Sequence, residues 1–415
     1  MGRRVPEGTD RPNDTDRGAG RCLTRRGAVH ASRWGMLTSE DRILTTHAGS
    51  LPRPPVLAAL HGRRSRGEPV DDAELQRAVE AATREAIAAQ VAAGIDIGND
   101  GEQARESFFT YVQHRMTGFG GQSHRRGMAD LRDHPDFVEL ALPRRERTKV
   151  NLMSAPAAVG EISYRDTSEV AAECDLVADA PFGQTFMTAA SPGIVASAME
   201  NRYYDSQEEY VRAVAAALRT EYETIAGRGL LLQIDAPDLA MERHTLFADR
   251  PLVEFLAWVE LVVGAIDDAL ADVAPDDVRL HVCWGNYEGP HTHDVALDEI
   301  LPILATCRVG ALVLSMGNPR HEHEYRCFER HPLPDHMVLV AGVIDTTNNF
   351  VEHPEVVADR IERVARAVGD PRRIIAGTDC GFDTSAGIGD VARSVVWKKL
   401  EALRAGADLA TQRLF

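Results

Sequence analysis

The sequence predicts an α/β fold, a (β/α)8 barrel of the TIM type, on three observations. From residue 39 onward, short apolar or β-branched runs alternate with long segments whose apolar residues recur every three or four positions. There are eight such runs, at 43–46, 95–98, 185–188, 230–234, 278–283, 311–315, 338–343 and 373–377. Polar, chemistry-bearing residues follow one end of nearly every run, as they do at the carboxyl ends of barrel strands. Eight strand-then-helix units over roughly 375 residues fit one closed barrel better than two open sheets.

Taken in chain order, residues 1–38 stand apart: eight Arg face four acids (Glu7, Asp10, Asp14, Asp16), large apolar residues are few and no period appears. Such a segment cannot bury enough surface to offset its ordering entropy, so it reads as a disordered extension, with Met36 a candidate functional start. A single barrel is expected over 39–415. Asp71 and Asp72 stand where an N-cap belongs, Leu75, Val79, Ala82, Ala86, Ala89 and Ala93 recur at three- and four-residue spacing, and Gly94 ends the helix. Ser206 and Glu209 form a capping box ahead of Tyr210, Val214, Leu218 and Tyr222, and a third helix runs from Pro354 to Gly369. Residues about 118–180 lose the alternation and read as an insertion.

The 415 residues carry 63 Asp and Glu against 46 Lys and Arg, a net charge of −17, and no basic stripe counters it locally. Binding to nucleic acid is therefore not expected. The most apolar stretch, 252–270, is interrupted by Glu254, Glu260, Asp267 and Asp268, so no membrane span is expected either. Six cysteines are too sparse for a disulfide framework, and the pairs Arg3-Arg4 and Arg25-Arg26 lack the apolar segment of an export signal. A cytoplasmic protein with free thiols is the expectation.

At the strand ends the residues are His47, Gly49 and Ser50; Asn99, Asp100 and Glu102; Asp235 and Asp238; His281 and Cys283; Ser315 and Asn318; Asp345; and Asp379 and Cys380. The sharpest signal is His281-Val282-Cys283, because residues two apart on a strand face the same way. With Cys380 these make a Cys2His set suited to zinc, and three protein ligands leave a fourth position open, the mark of a catalytic site. The alternative is a metal-free barrel in which all three are core residues. His291, His293, His321 and His323 also have metal-compatible spacing, but they lie beyond the strand ends and read as solvated or hydrogen-bonded. Cys174, Cys307 and Cys327 read as buried and inert.

The segments LTTHAGSLPRP, DIGNDGE, LQIDAPDLAM, HVCWGN, AGVID and GTDCGF, in this order, resemble the zinc-containing catalytic barrel of cobalamin-independent methionine synthase, and more closely its short single-barrel relatives. Its superfamily also holds epoxyalkane:coenzyme M transferase and, without the metal, uroporphyrinogen decarboxylase. The resemblance implies Zn2+ held by His281, Cys283 and Cys380. It also implies an amino-acid thiol such as homocysteine near Gly49 and Ser50, its ammonium group received by Glu102 and Asp235. The activity implied is that of a 5-methyltetrahydropteroyltriglutamate-homocysteine methyltransferase-like enzyme, the thiol and a methyl donor (reduced folate or methylcobalamin) being its small-molecule partners. Asp345 and Asp238 are the candidate acids for a departing folate nitrogen.

Two positions depart from that pattern. Ser315 stands where these synthases usually supply a zinc-ligating glutamate, so either Glu322 or Glu324 reaches back or the site has three protein ligands. Thr346 and Thr347 follow Asp345 where a histidine is usual. Both favour, as the alternative, another zinc–thiolate alkyl transfer or carbon–sulfur reaction, such as epoxide opening.

Overall fold

The computed structural model of the chain describes residues 2, 35–145, 150 and 155–415. Residues 32–415 form one compact unit. Among the described residues it has ten strands: β1 (Leu44–Thr45), β2 (Ile97–Gly98), β3 (Phe119–Gly120), β4 (Ala157–Ala158), β5 (Gln184–Ala190), β6 (Leu231–Asp235), β7 (Val278–Val282), β8 (Ala311–Ser315), β9 (Val338–Ile344) and β10 (Ile374–Thr378). Eight form a parallel sheet in the order β1-β10-β9-β8-β7-β6-β5-β2, and each coincides with one of the eight expected runs. The two end strands close the barrel with few bonds: Asp96 N–H donates to Thr45 O (3.1 Å), Thr45 N–H to Asp96 Oδ2 (2.9 Å) and Thr46 Oγ1 to Ile97 O (2.8 Å). The fold is the (β/α)8 barrel that the alternation predicts.

The caps hold as the sequence implies. The helix Asp72–Ala93 starts at Asp71, whose carboxylate accepts from the N–H groups of Ala73 and Glu74, and it ends at Gly94 with φ 84°. Ser206 caps Gln207–Ala226 by accepting from Glu209 N–H, and Gly369 ends Pro354–Val368 at φ 91°. The insertion carries the antiparallel pair β3–β4 and, between its strands, the helices Ala129–Asp133 and Pro135–Arg145. The helix Ser168–Val177, inside the expected insertion, packs Val170, Cys174 and Val177 into the main core, so the alternation resumes before residue 180. The expected extension falls largely outside the described residues. Its end is not free: Met36 and Leu37 pack against Leu44, Phe186, Leu231 and their neighbours at the amino-terminal end of the strands, and Met36 N–H donates to Asp276 O.

Strand alternation layers the barrel. Leu230, Leu232, Ile234, Val278, Leu280 and Val282 face the helices, whereas Leu44, Ile97, Phe186, Leu231, Val313, Val340 and Ile375 fill the lower interior. Above that apolar layer lies a buried polar one. Arg279 donates to Gln233 Oε1 (2.7 Å), Thr46 Oγ1 (3.1 Å) and His47 O (3.0 Å), with its guanidinium 3.6 Å from the Phe186 ring centre. Gln233 in turn donates to Ala48 O and Asp235 Oδ1, both at 2.7 Å. This layer is the floor of the site. Among the described residues, no helix is long and apolar enough to cross a membrane.

Candidate active site

His281 and Cys283 leave the end of β7 on one face, and Cys380 follows β10. Their ligand atoms lie within 4.8 Å of one another, all three residues are buried, and the two sulfurs are 3.8 Å apart. Two thiolates bound to one zinc at about 2.3 Å in tetrahedral geometry stand about 3.8 Å apart, so the pair fits that ion without rearrangement. His281 Nδ1 is 3.0 Å from Asp235 Oδ1; because a carboxylate accepts, Nδ1 carries a proton, and Nε2, turned to Asp379 O at 3.4 Å, is the nitrogen a metal would take in exchange for a second proton. Burial lowers the His281 pKa, but Asp235 and the neighbouring thiol outweigh it and raise it to about 10. The Cys380 S–H and the adjacent imidazole pull Cys283 down, against the cost of burial. Two thiols and an imidazole so placed could hold a zinc ion.

The fourth-ligand question has a geometric answer. Ser315 is buried and donates to Asp379 O (2.8 Å). Glu324 accepts from Leu297 N–H (3.1 Å), and Glu322 is half-buried beside Arg360 (3.7 Å). Neither glutamate joins the sulfurs, so among the described residues the protein offers three ligands.

Two cavities meet at the cysteines. The smaller, about 100 Å3, is bounded by Ser50, Glu102, Arg125, Asp235, His281 and both thiols. Glu102 is fully buried; burial first, and then the charge of Asp235, raise its pKa to about 8. Its Oε1 accepts from Thr188 Oγ1 (3.3 Å), while Oε2 has no hydrogen-bond partner. Gly49 adopts φ 132°, and a Cβ there would stand 2.5 Å from Glu102 Oε1, so the turn after β1 needs glycine both for its backbone and for this approach. Ser50 is fixed through its carbonyl, which accepts from Phe382 N–H (2.8 Å).

The larger cavity, about 420 Å3, runs outward from the same cysteines past Asn286, Ser315, Asn318, Asp345 and Asp379. Asp345 accepts from Thr347 N–H and Oγ1 and from Asn348 Nδ2, at 2.6–2.8 Å. Asp379 gathers Met316, Gly317 and Asn318 N–H and Asn318 Nδ2 at 2.7–3.0 Å; burial, then the charge of Asp345, raise its pKa to about 7.

Asp238 is not brought to the site. It is fully buried behind Ser191 (2.5 Å) and lines neither cavity. Of the other histidines, His293 and His323 are exposed, whereas His291 and His321 meet at Asp294. Arg125 and Asn286 were not legible as site residues: the first comes from the insertion and the second from a loop, and no strand period marks either.

Residues 152–396 match the family described as the catalytic domain of cobalamin-independent synthase. The chain belongs to that family. It is 24% identical to a methionine synthase of Sulfolobus acidocaldarius over 83% of this chain and 88% of the relative, and 25% identical to one of Thermococcus kodakarensis over 89% and 94%. A B12-independent methionine synthase from Shewanella, solved with selenomethionine, superposes with a TM-score of 0.67 at 20% identity over 90% of this chain and 99% of that one. A putative vitamin-B12-independent methionine synthase from Listeria monocytogenes gives 0.58 at 16% identity over 89% and 99%. Both structures share the fold of this family member.

Proposed function

We propose that this synthase-family protein is a zinc-dependent S-methyltransferase that moves a methyl group to the sulfur of homocysteine or a related amino-acid thiol. The observation that carries the reading is the meeting of two cavities at Cys283 and Cys380, one sized and charged for a small ammonium-bearing thiol, the other larger and open to a second substrate. The methionine synthases among its relatives, and selenomethionine in the Shewanella protein, support a sulfur amino acid in the smaller cavity.

Zinc held by His281, Cys283 and Cys380 supplies acidity at the substrate thiol, whose ordinary pKa near 8.5 otherwise leaves it protonated at neutral pH. The residues do the rest. Glu102 and Asp235 receive the ammonium group, and Arg125, on the wall of the same cavity, suits the carboxylate. Asp235 also keeps the His281 proton on Nδ1. Asp345 orients the second substrate from the larger cavity, and Asp379 beside it, with a pKa near neutrality, can hold the proton that a departing amine takes.

A second reading, alkyl transfer from an epoxide or related carbon electrophile, is favoured by Ser315 and by Thr346 and Thr347 in the larger cavity. Purified protein given homocysteine with methyl-folate, methylcobalamin or a small epoxide separates the two. Methionine from either methyl donor is expected; none from both, with thioether from the epoxide, would transfer the assignment to the second reading. One zinc held by the thiolates, lost on Cys283→Ser or Cys380→Ser, is expected under both.

A further inference from the structure

Beyond the cysteines, at the outer wall of the larger cavity, His291 and His321 converge on one oxygen of Asp294. Asp294 Oδ2 is 2.9 Å from His291 Nδ1 and 2.9 Å from His321 Nε2, and the three ligand atoms lie within 4.8 Å of one another. His321 and Asp294 side chains are 5% and 2% exposed. We propose that His291, Asp294 and His321 form a second divalent-cation site, of His2Asp type, distinct from the Cys2His set.

Hydrogen bonding decides which nitrogen can serve. His291 Nε2 is 3.1 Å from Tyr287 O; a carbonyl only accepts, so Nε2 carries the proton and the lone pair of the neutral ring sits on Nδ1, facing Asp294. Two acceptors at 2.9 Å repel unless the ring is cationic or a cation lies between them. His321 points Nε2 toward Asp294, while its Nδ1 faces the buried Oε2 of Glu324 at 3.5 Å, and neither of those two atoms has a hydrogen-bond partner. The backbone carbonyl behind His291 is an outer-shell partner of the kind metal-bound histidines keep, and Glu324 stands where a small shift would make it one for His321. Donor atoms on an ion with bonds of about 2.0–2.1 Å stand about 2.8–3.4 Å apart, so the two distances to Asp294 Oδ2 need little adjustment.

The surroundings hold the three residues in place. His321 stacks on Trp284 with ring centres 4.1 Å apart, and His291 stacks on Tyr287 at 4.2 Å. His244 Nδ1 lies 3.3 Å from Asp294 Oδ1 and 3.2 Å from Asp130 Oδ2, while Asp130 Oδ1 accepts from Thr292 N–H (2.7 Å). Asp130 belongs to the insertion, so the insertion braces the loop that bears His291. Two imidazoles and one carboxylate suit a borderline ion of the zinc, cobalt or nickel kind, and three protein ligands leave room for a further ligand.

Cobalt(II) titration of the untagged full-length chain, read by visible absorption and equilibrium dialysis, tests this. Sulfur-to-cobalt charge transfer belongs only to a thiolate site. The wild-type chain is expected to bind about two ions, Asp294→Asn about one with the charge-transfer band kept, and the Cys283→Ser, Cys380→Ser double variant about one without it. The retained band shows that Asp294→Asn is folded; His291→Gln, at the least buried of the three ligands, is the second variant and should behave alike. Saturation at one ion lost in the double cysteine variant, or two ions in both Asp294→Asn and His291→Gln, would overturn the proposal. A single wild-type ion without the band, lost in Asp294→Asn, would instead uphold this site and remove the thiolate one.

Discussion

The imidazole Nδ1 of His281 and the Oδ1 of Asp235 stand 3.0 Å apart on adjacent strands, in register across β6 and β7. One carboxylate therefore fixes the tautomer of a candidate metal ligand and also faces the cavity proposed for an amino-acid thiol. Asp235→Asn removes the charge and can present an amide N–H where an acceptor is needed. Zinc affinity, measured by competition with a chromophoric chelator, should fall about 10–100-fold. An unchanged affinity would mean that His281 does not depend on Asp235 for its orientation.

Gly49 has a second, independent demand on it. Gly49→Ala forces an L side chain to φ 132° and drives a Cβ against Glu102 Oε1. The KM for the thiol is expected to rise about tenfold or more, matching roughly 1.4 kcal/mol or more of lost binding, with zinc content unchanged. Equal loss of zinc would place the effect in the fold and not in the acceptor cavity.

Ser315 lines the larger cavity with Cys283 and Cys380. Ser315→Glu adds a carboxylate within reach of the same centre. Its zinc should resist chelators about tenfold longer, while exchange of the thiol slows, because a fourth protein ligand competes for the open position. Chelation kinetics unchanged from wild type would put this side chain outside the metal's reach.

Asp238 predicts a pH effect on stability. Burial, partly opposed by the Ser191 hydrogen bond, raises its pKa to about 7, against about 3.9 in an unfolded chain. The folded state thus holds the proton to higher pH than the unfolded state does. The contribution of the protonated group is complete below about pH 4 and is lost as the pH rises through about 7. Asp238→Asn, which keeps an acceptor for Ser191, should gain about 1–3 kcal/mol over wild type in urea melts at pH 8 and clearly less at pH 5. A gain independent of pH would assign the effect to packing.

Lys399 is fully buried, donating to both oxygens of Glu352 (3.0 Å each) and to Asp345 O (2.9 Å), while Glu352 Oε1 accepts from Asp345 N–H (3.0 Å). Lys399→Met strands a buried carboxylate and should cost about 3–5 kcal/mol in equilibrium unfolding. Adding Glu352→Gln should recover part of that loss; no recovery would locate the cost in the lysine's packing.

The eight strands were legible because each is a short apolar run between helices whose caps, Asp71, Gly94, Ser206 and Gly369, are written in local residue types. His281 and Cys283 were legible because a two-residue spacing fixes the face of a strand, and Cys380 because it stands just past the end of the last apolar run. Met36 and Leu37, read with the extension, find apolar partners on strands far along the chain, which composition does not reveal.

What the sequence determined by itself is what local periodicity and capping encode: a barrel, its order of strands, and a ring of polar residues at one end. Tertiary structure alone decided which of those residues share a space. It set Asp238 behind Ser191, withheld Glu322 and Glu324 from the cysteines, and brought Asp130, His244, Asp294 and His321, spread over nearly two hundred residues, around one cluster. The reason is physical. Strand and helix periods fix the direction of a side chain within its own element, but loops have no period, and their side chains meet only where barrel closure and the insertion's packing bring them together.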